Sequence, residues 1–133
     1  MVILIVEDDA LVGMALTALL FGAGHRVLGP AVDARNALLL AEAHPPDLAF
    51  VDINIAGPVD GVSVARALTH QHRTTCIFVT AEPERARGLG DIAIGVVRKP
   101  FDLASLAAVV SVATAFRRGQ LLPPAPRHLE LFA

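Results

Sequence analysis

Five short apolar runs divide the chain, at residues 2–6, 26–30, 48–51, 76–80 and 93–98. Each run has the length of an ordinary β-strand. The first and third runs are apolar at every position instead of alternating, which is typical of strands that helices cover on both faces of a sheet. The pattern therefore predicts five strands in a parallel sheet.

Segments with helical spacing separate the predicted strands. Apolar residues recur three and four positions apart in three of the four connections. They are Val12, Ala15, Leu16, Leu19 and Leu20; Ala37, Leu38 and Ala41; and Val64, Ala65 and Leu68. We expect a further helix over 103–117, with Asp102 capping its first turn as Asp33 caps the second helix. This alternation favours a doubly wound, flavodoxin-like α/β fold with strand order 2-1-3-4-5, since a barrel needs roughly 250 residues.

Composition indicates one globular domain followed by a tail. The chain has 133 residues, 54% of them hydrophobic and 18% charged, which suits a single core. Beyond Phe116, prolines stand at positions 123, 124 and 126, where a helix cannot continue. We expect a domain over 1–118 and a Pro-rich tail over 119–133. The tail is either an extended linker or a docking segment, in which Leu129 and Leu131 allow strand addition.

Charge and hydropathy exclude several classes of partner. The chain has 11 Lys and Arg against 13 Asp and Glu, a formal net charge of −2, and no basic block. Direct binding to a nucleic-acid backbone is therefore not expected. No apolar stretch reaches the ~20 residues of a membrane span, and the start of the chain lacks the basic region of a signal peptide. We expect a cytoplasmic protein without membrane contact.

Acidic residues follow the first and third predicted strands. Glu7, Asp8 and Asp9 end the first strand, and Asp52 ends the third, two residues before Asn54. Doubly wound sheets bind ligands at the carboxyl ends of their strands where the strand order reverses, so these carboxylates are expected to converge. Like charges repel unless a cation neutralises them, and oxygen ligands favour Mg²⁺. The alternative is structural: Asp8 and Asp9 cap the first helix and Asp52 caps a turn.

A hydroxyl and an ammonium group extend the same edge of the sheet. Thr80 ends the fourth predicted strand, and Lys99 follows the fifth, before Pro100 and Phe101. Either group can bind a phosphoryl oxygen. A cis bond before Pro100 would aim Lys99 inward. Taken alone, each residue has an ordinary explanation, because Thr favours strands and Lys favours solvent.

The combined set resembles the receiver domain of two-component response regulators over about residues 1–118. The resemblance rests on the motifs at 3–9, 51–54, 79–81 and 99–101, and the loop at 57–61 is similar too. It implies that Asp52 is the phosphoacceptor, and that Glu7, Asp8, Asp52 and the backbone carbonyl of Asn54 hold Mg²⁺. Thr80 and Lys99 would contact the phosphoryl group. The donor would be a phosphohistidine on a histidine kinase or phosphotransfer protein.

The leading hypothesis is a stand-alone receiver that switches protein–protein interactions and catalyses only its own phosphorylation and dephosphorylation. Its downstream partner is unknown, and a homodimer is an open possibility. One alternative is a Mg²⁺-dependent phosphatase or dehalogenase with Asp52 as nucleophile. Such phosphatases carry a second carboxylate where this chain has Asn54. Another is a receiver-like fold that is not phosphorylated, which the presence of Asp52, Thr80 and Lys99 disfavours.

One position departs from the family pattern. Receivers often carry an aromatic residue three positions before the lysine, and here that residue is Val96. A β-branched side chain has few rotamers and no polar tip, so it cannot signal through an aromatic rotamer change. Pro83, Gly88 and Gly90 also interrupt the fourth helical segment. We therefore predict that phosphorylation reorders residues 81–92, against the alternative of a short, static helix with Val96 filling the core.

Overall fold

The computed structural model describes residues 1–132, and a six-stranded sheet forms its centre. The strands are β1 Val2–Val6, β2 Arg26–Ala31, β3 Leu48–Asp52, β4 Thr75–Thr80, β5 Gly95–Arg98 and β6 Leu129–Leu131. Their order across the sheet is β2-β1-β3-β4-β5-β6. The first five strands are parallel, which confirms the predicted 2-1-3-4-5 arrangement, and β6 runs antiparallel to β5.

Four α-helices connect or follow these strands. They are α1 Ala10–Gly22, α2 Ala34–Ala43, α3 Gly61–His72 and α4 Leu103–Arg117. Each begins after an aspartate whose carboxylate accepts backbone N–H groups of the first turn, namely Asp9, Asp33, Asp60 and Asp102. The connection between β4 and β5 contains only a single 3₁₀ turn, Pro83–Ala86, so the interruption predicted there is confirmed.

The core lies in two layers, one on each face of the sheet. Alternate residues of a strand point to opposite faces, so Leu4 packs with α2 and α3 while Ile5 packs with α1 and α4. All five residues of β3 are buried. The continuous apolar pattern of the first and third runs therefore reflects burial on both faces, as predicted.

The end of the chain returns to the sheet. Residues 121–126 have no regular structure, but Leu129–Leu131 pairs with β5. The side chain of Leu129 is buried in the layer formed by α1 and α4. Of the alternatives left open by the sequence, strand addition is the one that the structure shows for residues 129–131.

The Lys99–Pro100 peptide bond, whose isomer the sequence left open, is cis, and the Gly29–Pro30 bond is cis as well. Cys76 is buried, and burial raises the pKa of its thiol to about 12, so it is a core residue and not a reactive thiolate. Among residues 1–132, no helix combines the length and hydrophobicity needed to cross a membrane.

Candidate functional site

The carboxyl ends of four neighbouring strands bring the predicted site residues to one edge of the sheet. Glu7 follows β1, Asp52 ends β3, Thr80 ends β4 and Lys99 follows β5. Glu7, Asp52 and Thr80 are 2%, 6% and 1% exposed. Buried polar groups at adjacent strand ends are the arrangement expected of a binding site at the switch point of a doubly wound sheet.

Lys99 is the cation of this pocket. Its Nζ lies 2.6 Å from Oε1 of Glu7 and 3.0 Å from Oδ2 of Asp52. Burial by itself would lower the pKa of Lys99, but hydrogen bonds to Glu7 and Asp52 outweigh it and raise the pKa above its usual value. Lys99 is therefore held in its charged form between two carboxylates.

One lysine does not balance two buried carboxylates. Burial and the nearby Asp52 carboxyl raise the pKa of Glu7 to about 7, and the interaction with Lys99 only partly opposes this. Near neutral pH the pocket can therefore relieve its excess negative charge by binding either a proton or a further cation.

Glu7, Asp8 and Asp52 form a group able to hold a metal ion. Each offers a carboxylate oxygen, and these oxygens lie within 4.8 Å of one another. The raised pKa of Glu7 and a donor set made only of oxygen fit Mg²⁺, which usually takes one or two carboxylates and retains several water molecules. Asp8 is the exposed member of the group, while Glu7 and Asp52 are buried.

The structure separates the two adjacent aspartates that the sequence left unresolved. Asp9 caps α1, since its Oδ1 accepts the N–H groups of Leu11 and Val12 at 2.9 Å and 3.2 Å. Asp8 instead joins the acidic group. The structural alternative is therefore correct for Asp9 and wrong for Asp8.

The backbone and a hydroxyl complete the pocket. Oδ1 of Asp52 accepts the N–H of Asn54 at 3.1 Å, which orients the carboxylate. Oγ1 of Thr80 accepts the N–H of Glu82 at 3.1 Å. Thr80 thus lies where predicted, at the end of the strand next to Asp52.

Two further residues shape the site. Arg85, in the 3₁₀ turn, donates from Nη1 to Oδ1 of Asn54. Arg85 is 31 positions from Asn54 in the sequence, and no sequence motif predicted that the two side chains would meet. Gly61, at the start of α3, lies so close to the backbone of Asp52 that an added Cβ would stand 1.9 Å from the Asp52 carbonyl oxygen. Its place at the end of the loop over 57–61 was the available signal.

Comparison with known proteins agrees with this geometry. A model of the response regulator receiver domain matches residues 3–111. The chain belongs to this family. Receiver domains are the phosphoacceptor modules of two-component signalling.

Two curated relatives share the same region. The phyllosphere-induced regulator PhyR of Methylorubrum extorquens is 36% identical over 118 residues, covering 87% of this chain and 44% of PhyR. The transcriptional regulatory protein PdtaR of Mycobacterium tuberculosis is 33% identical over 118 residues, covering 85% of this chain and 56% of PdtaR. The chain therefore spans about half the length of these relatives.

Solved receiver domains share the fold. The solution structure of the PhyR receiver domain from Erythrobacter litoralis aligns with a TM-score of 0.78 at 30% identity, covering 93% of this chain and 95% of that one. A diguanylate cyclase receiver domain from Desulfovibrio desulfuricans aligns with a TM-score of 0.77 at 30% identity, covering 88% and 95%. The flavodoxin-like assignment is thus confirmed.

Proposed function

We propose that this receiver takes a phosphoryl group from a phosphohistidine of a histidine kinase or phosphotransfer protein onto Asp52, and that phosphorylation switches its binding to another protein. The observation that carries the proposal is the bridge made by Lys99 between Glu7 and Asp52. A nucleophilic carboxylate needs nearby positive charge when negative oxygens approach it.

Side chains and backbone groups of this chain position the Asp52 carboxylate and would contact the transferred phosphoryl group. A carboxylate oxygen of Asp52 forms the new O–P bond as the P–N bond to the donor imidazole breaks and its electron pair returns to the ring nitrogen. The N–H of Asn54 and Nζ of Lys99 position the Asp52 carboxylate through contacts of 3.1 Å and 3.0 Å. Lys99 and the Thr80 hydroxyl then contact the transferred phosphoryl oxygens.

Mg²⁺ would be held by Glu7, Asp8 and Asp52, with the backbone carbonyl of Asn54 as a further predicted ligand. The bound ion would supply charge neutralisation for the phosphoryl oxygens. The acidic group and the raised pKa of Glu7 support this assignment, because both indicate a pocket with excess negative charge. The ion would displace the proton that Glu7 otherwise binds near neutral pH.

The phosphatase alternative is disfavoured by the surroundings of Asn54. An enzyme of that kind uses a second carboxylate at this position as an acid or base. Here the position holds a neutral amide, and its Oδ1 accepts a hydrogen bond from Arg85. A neutral amide that accepts a hydrogen bond from a guanidinium cannot act as an acid or base, so the carboxylate that such phosphatases use at this position is missing here.

An exposed apolar surface beside the site suits the phosphodonor. Leu11 and Met14 of α1 are 79% and 67% exposed. Leu11 also lines a cavity of about 490 Å³, together with Val12, Ala15, Ala81, Lys99, Pro100 and Phe101. A helix carrying the phosphohistidine can pack its apolar residues here and present the imidazole to Asp52. Large exposed apolar patches commonly mark such protein-binding surfaces.

The test is phosphorylation by acetyl phosphate with Mg²⁺, followed by intact mass measurement. We expect a single phosphate-sized increment that Asp52→Asn abolishes. The matched control is Asp91→Asn, which removes a carboxylate from the exposed pair with Arg66, away from the site, and should phosphorylate as the wild type does. An increment that survives in Asp52→Asn, or that forms without a divalent metal, would contradict the proposal.

A further inference from the structure

The last strand of the sheet covers an edge that would otherwise be exposed. β6 pairs with β5 through Val97 with Leu129, Val96 with Glu130 and Gly95 with Leu131. The backbone approach is close, since a Cβ on Gly95 would lie 2.5 Å from the Glu130 carbonyl oxygen. The edge of β5 is therefore shaped to accept an extended segment in antiparallel orientation.

A short link joins this strand to the phosphorylation pocket. Arg85 hydrogen-bonds the side chain of Asn54, two residues after Asp52. Two residues further along, Arg87 donates from Nε and Nη2 to the carboxylate of Glu130 in β6, at 3.0 Å and 3.1 Å. The 3₁₀ turn thus contacts the pocket at one end and β6 at the other.

β5 provides a second, independent link. The N–H of Lys99 donates to the carbonyl of Thr80 at 2.8 Å, and the N–H of the adjacent Arg98 donates to the carbonyl of His128 at 2.9 Å. Consecutive backbone groups therefore bind the pocket and the segment that leads into β6. A displacement of Lys99 toward a phosphoryl group changes the anchor of β6 directly.

The contacts that hold β6 are few. The strand has three residues, and only Leu129 among them is fully buried. The ion pair between Arg87 and Glu130 is exposed, with 58% and 45% of the two side chains accessible, so it contributes little by itself. Residues 121–126, which lead to the strand, have no regular structure. Side-chain contacts therefore hold the three residues of β6 at only a few points.

We propose that phosphorylation of Asp52 releases β6 and opens the edge of β5 to an extended segment of a target protein. The inference rests on the proposed function. A phosphoryl group brings about 1.5 to 2 negative charges, which attract Arg85. The Thr80 hydroxyl, whose oxygen accepts the N–H of Glu82, turns to donate its own hydrogen to the phosphoryl group and draws Glu82 with it. Both changes move the 3₁₀ turn and separate Arg87 from Glu130.

Charge and shape define the target segment. The cleft beside the β5 edge has a volume of about 470 Å³, and its lining includes Arg87, Arg98 and Arg127 with a single carboxylate, Glu130. The target segment needs an apolar residue at the position that Leu129 now fills, because that position is buried in the core. A segment that alternates apolar and acidic residues fits this edge.

Hydrogen exchange on the full chain tests the release of β6. Beryllofluoride with Mg²⁺ serves as the phosphoryl mimic. We expect the amides of residues 129–132 to exchange at least tenfold faster with the mimic, and Arg87→Ala to raise their exchange without it. Arg66→Ala is the matched control, since it breaks an exposed ion pair with Asp91, and it should exchange at these amides as the wild type does.

A labelled peptide tests the opened edge. The probe has the sequence of residues 127–132, and binding to the full chain is followed by fluorescence polarisation. We expect at least tenfold tighter binding with the mimic, and weaker binding when the peptide carries Glu130→Lys. Equal binding with and without the mimic would overturn the proposal, as would a mimic-induced dimer in light scattering, which assigns the edge to a second copy.

The experiments distinguish failure of the β6 release from failure of the proposed function. If acetyl phosphate adds the phosphate-sized mass at Asp52 but exchange at residues 129–132 is unchanged, the release of β6 is wrong and the proposed function stands. If no mass increment forms, the proposed function is wrong and this inference fails with it.

Discussion

At the scale of single residues, the pocket depends on a cation shared by two buried carboxylates. Glu7 and Asp52 lie on neighbouring strands, so the fold itself forces their charges together. Lys99 contacts both, yet the pKa of Glu7 still rises to about 7. The pocket therefore carries excess negative charge, which a metal ion would neutralise in the proposed phosphorylation.

Replacing this cation should make the fold depend on the metal. In Lys99→Ala, two buried carboxylates lose their partner, a change that costs about 3–5 kcal/mol in comparable buried pairs, reduced here because Glu7 can bind a proton. We expect a lower melting temperature without Mg²⁺, largely restored by Mg²⁺, and a weaker response of partner binding to phosphorylation. Thermal denaturation with and without Mg²⁺ measures the first effect.

Arg66→Ala provides the control for this experiment, because its ion pair with Asp91 is exposed and should contribute less than about 1 kcal/mol. A melting temperature of Lys99→Ala equal to that of the wild type in both conditions would show that Lys99 does not balance the pocket.

At the scale of elements, the connection between β4 and β5 is reduced to one 3₁₀ turn. Pro83 occupies its start, and Gly88 adopts a positive φ of 85° just beyond it, so a longer helix is interrupted at both ends. Val96 fills the core, 1% exposed, which agrees with the role that the static alternative gave it. Reordering of residues 81–92 on phosphorylation stays a prediction.

The start of α3 fixes the backbone of Asp52, the proposed phosphoacceptor. A methyl group at Gly61 would meet the carbonyl oxygen and carbon of Asp52 at 1.9 Å and 2.8 Å. Because these neighbours are backbone atoms, the clash cannot be relieved by a side-chain rotation. We expect Gly61→Ala to lower the free energy of unfolding by about 1–3 kcal/mol and to slow phosphorylation by acetyl phosphate. Urea denaturation and the intact mass assay measure the two effects.

Gly22→Ala is the matched substitution, since nothing lies within 4 Å of a Cβ placed there. Because Gly22 belongs to α1 and alanine favours a helix more than glycine does, the variant should be more stable by up to about 1 kcal/mol. If both variants unfold at the same urea concentration, the close approach of α3 to Asp52 does not constrain the fold.

At the scale of the whole molecule, the two ends of the sequence lie in one sheet. β1 occupies the interior of the sheet, while β6 closes its far edge against β5. Leu129 packs into the same layer as Leu16 of α1 and Leu106 of α4. The core of the receiver is therefore completed by residues beyond the segment that the family model matches.

Removing the tail should consequently weaken the fold. We expect truncation after Arg118 and Leu129→Ala both to lower the unfolding free energy, the point variant by about 2 kcal/mol, at the lower end for a buried leucine because Leu129 lies near the sheet edge. Leu121→Ala is the control, since Leu121 is 96% exposed. Urea denaturation of the three variants measures their unfolding free energies, and light scattering measures their oligomeric state. If truncation changes neither property, the docked strand does not stabilise the fold.

The sequence alone was sufficient for the order of elements and for most of the pocket. Strand and helix periods are local properties, and parallel strands place their carboxyl ends at one edge. Glu7, Asp52, Thr80 and Lys99 each end or follow a predicted strand, so their meeting followed from the topology. The family resemblance added their chemical roles.

Tertiary structure decided the contacts that no local period encodes. Asp8 and Asp9 are adjacent and chemically identical, and only the direction in which α1 leaves β1 makes one a cap and the other part of the acidic group. The pair between Arg87 and Glu130 joins residues 43 positions apart. Strand addition by β6 depended on whether the edge of β5 was free to receive it, which is a property of the assembled sheet and not of a three-residue pattern.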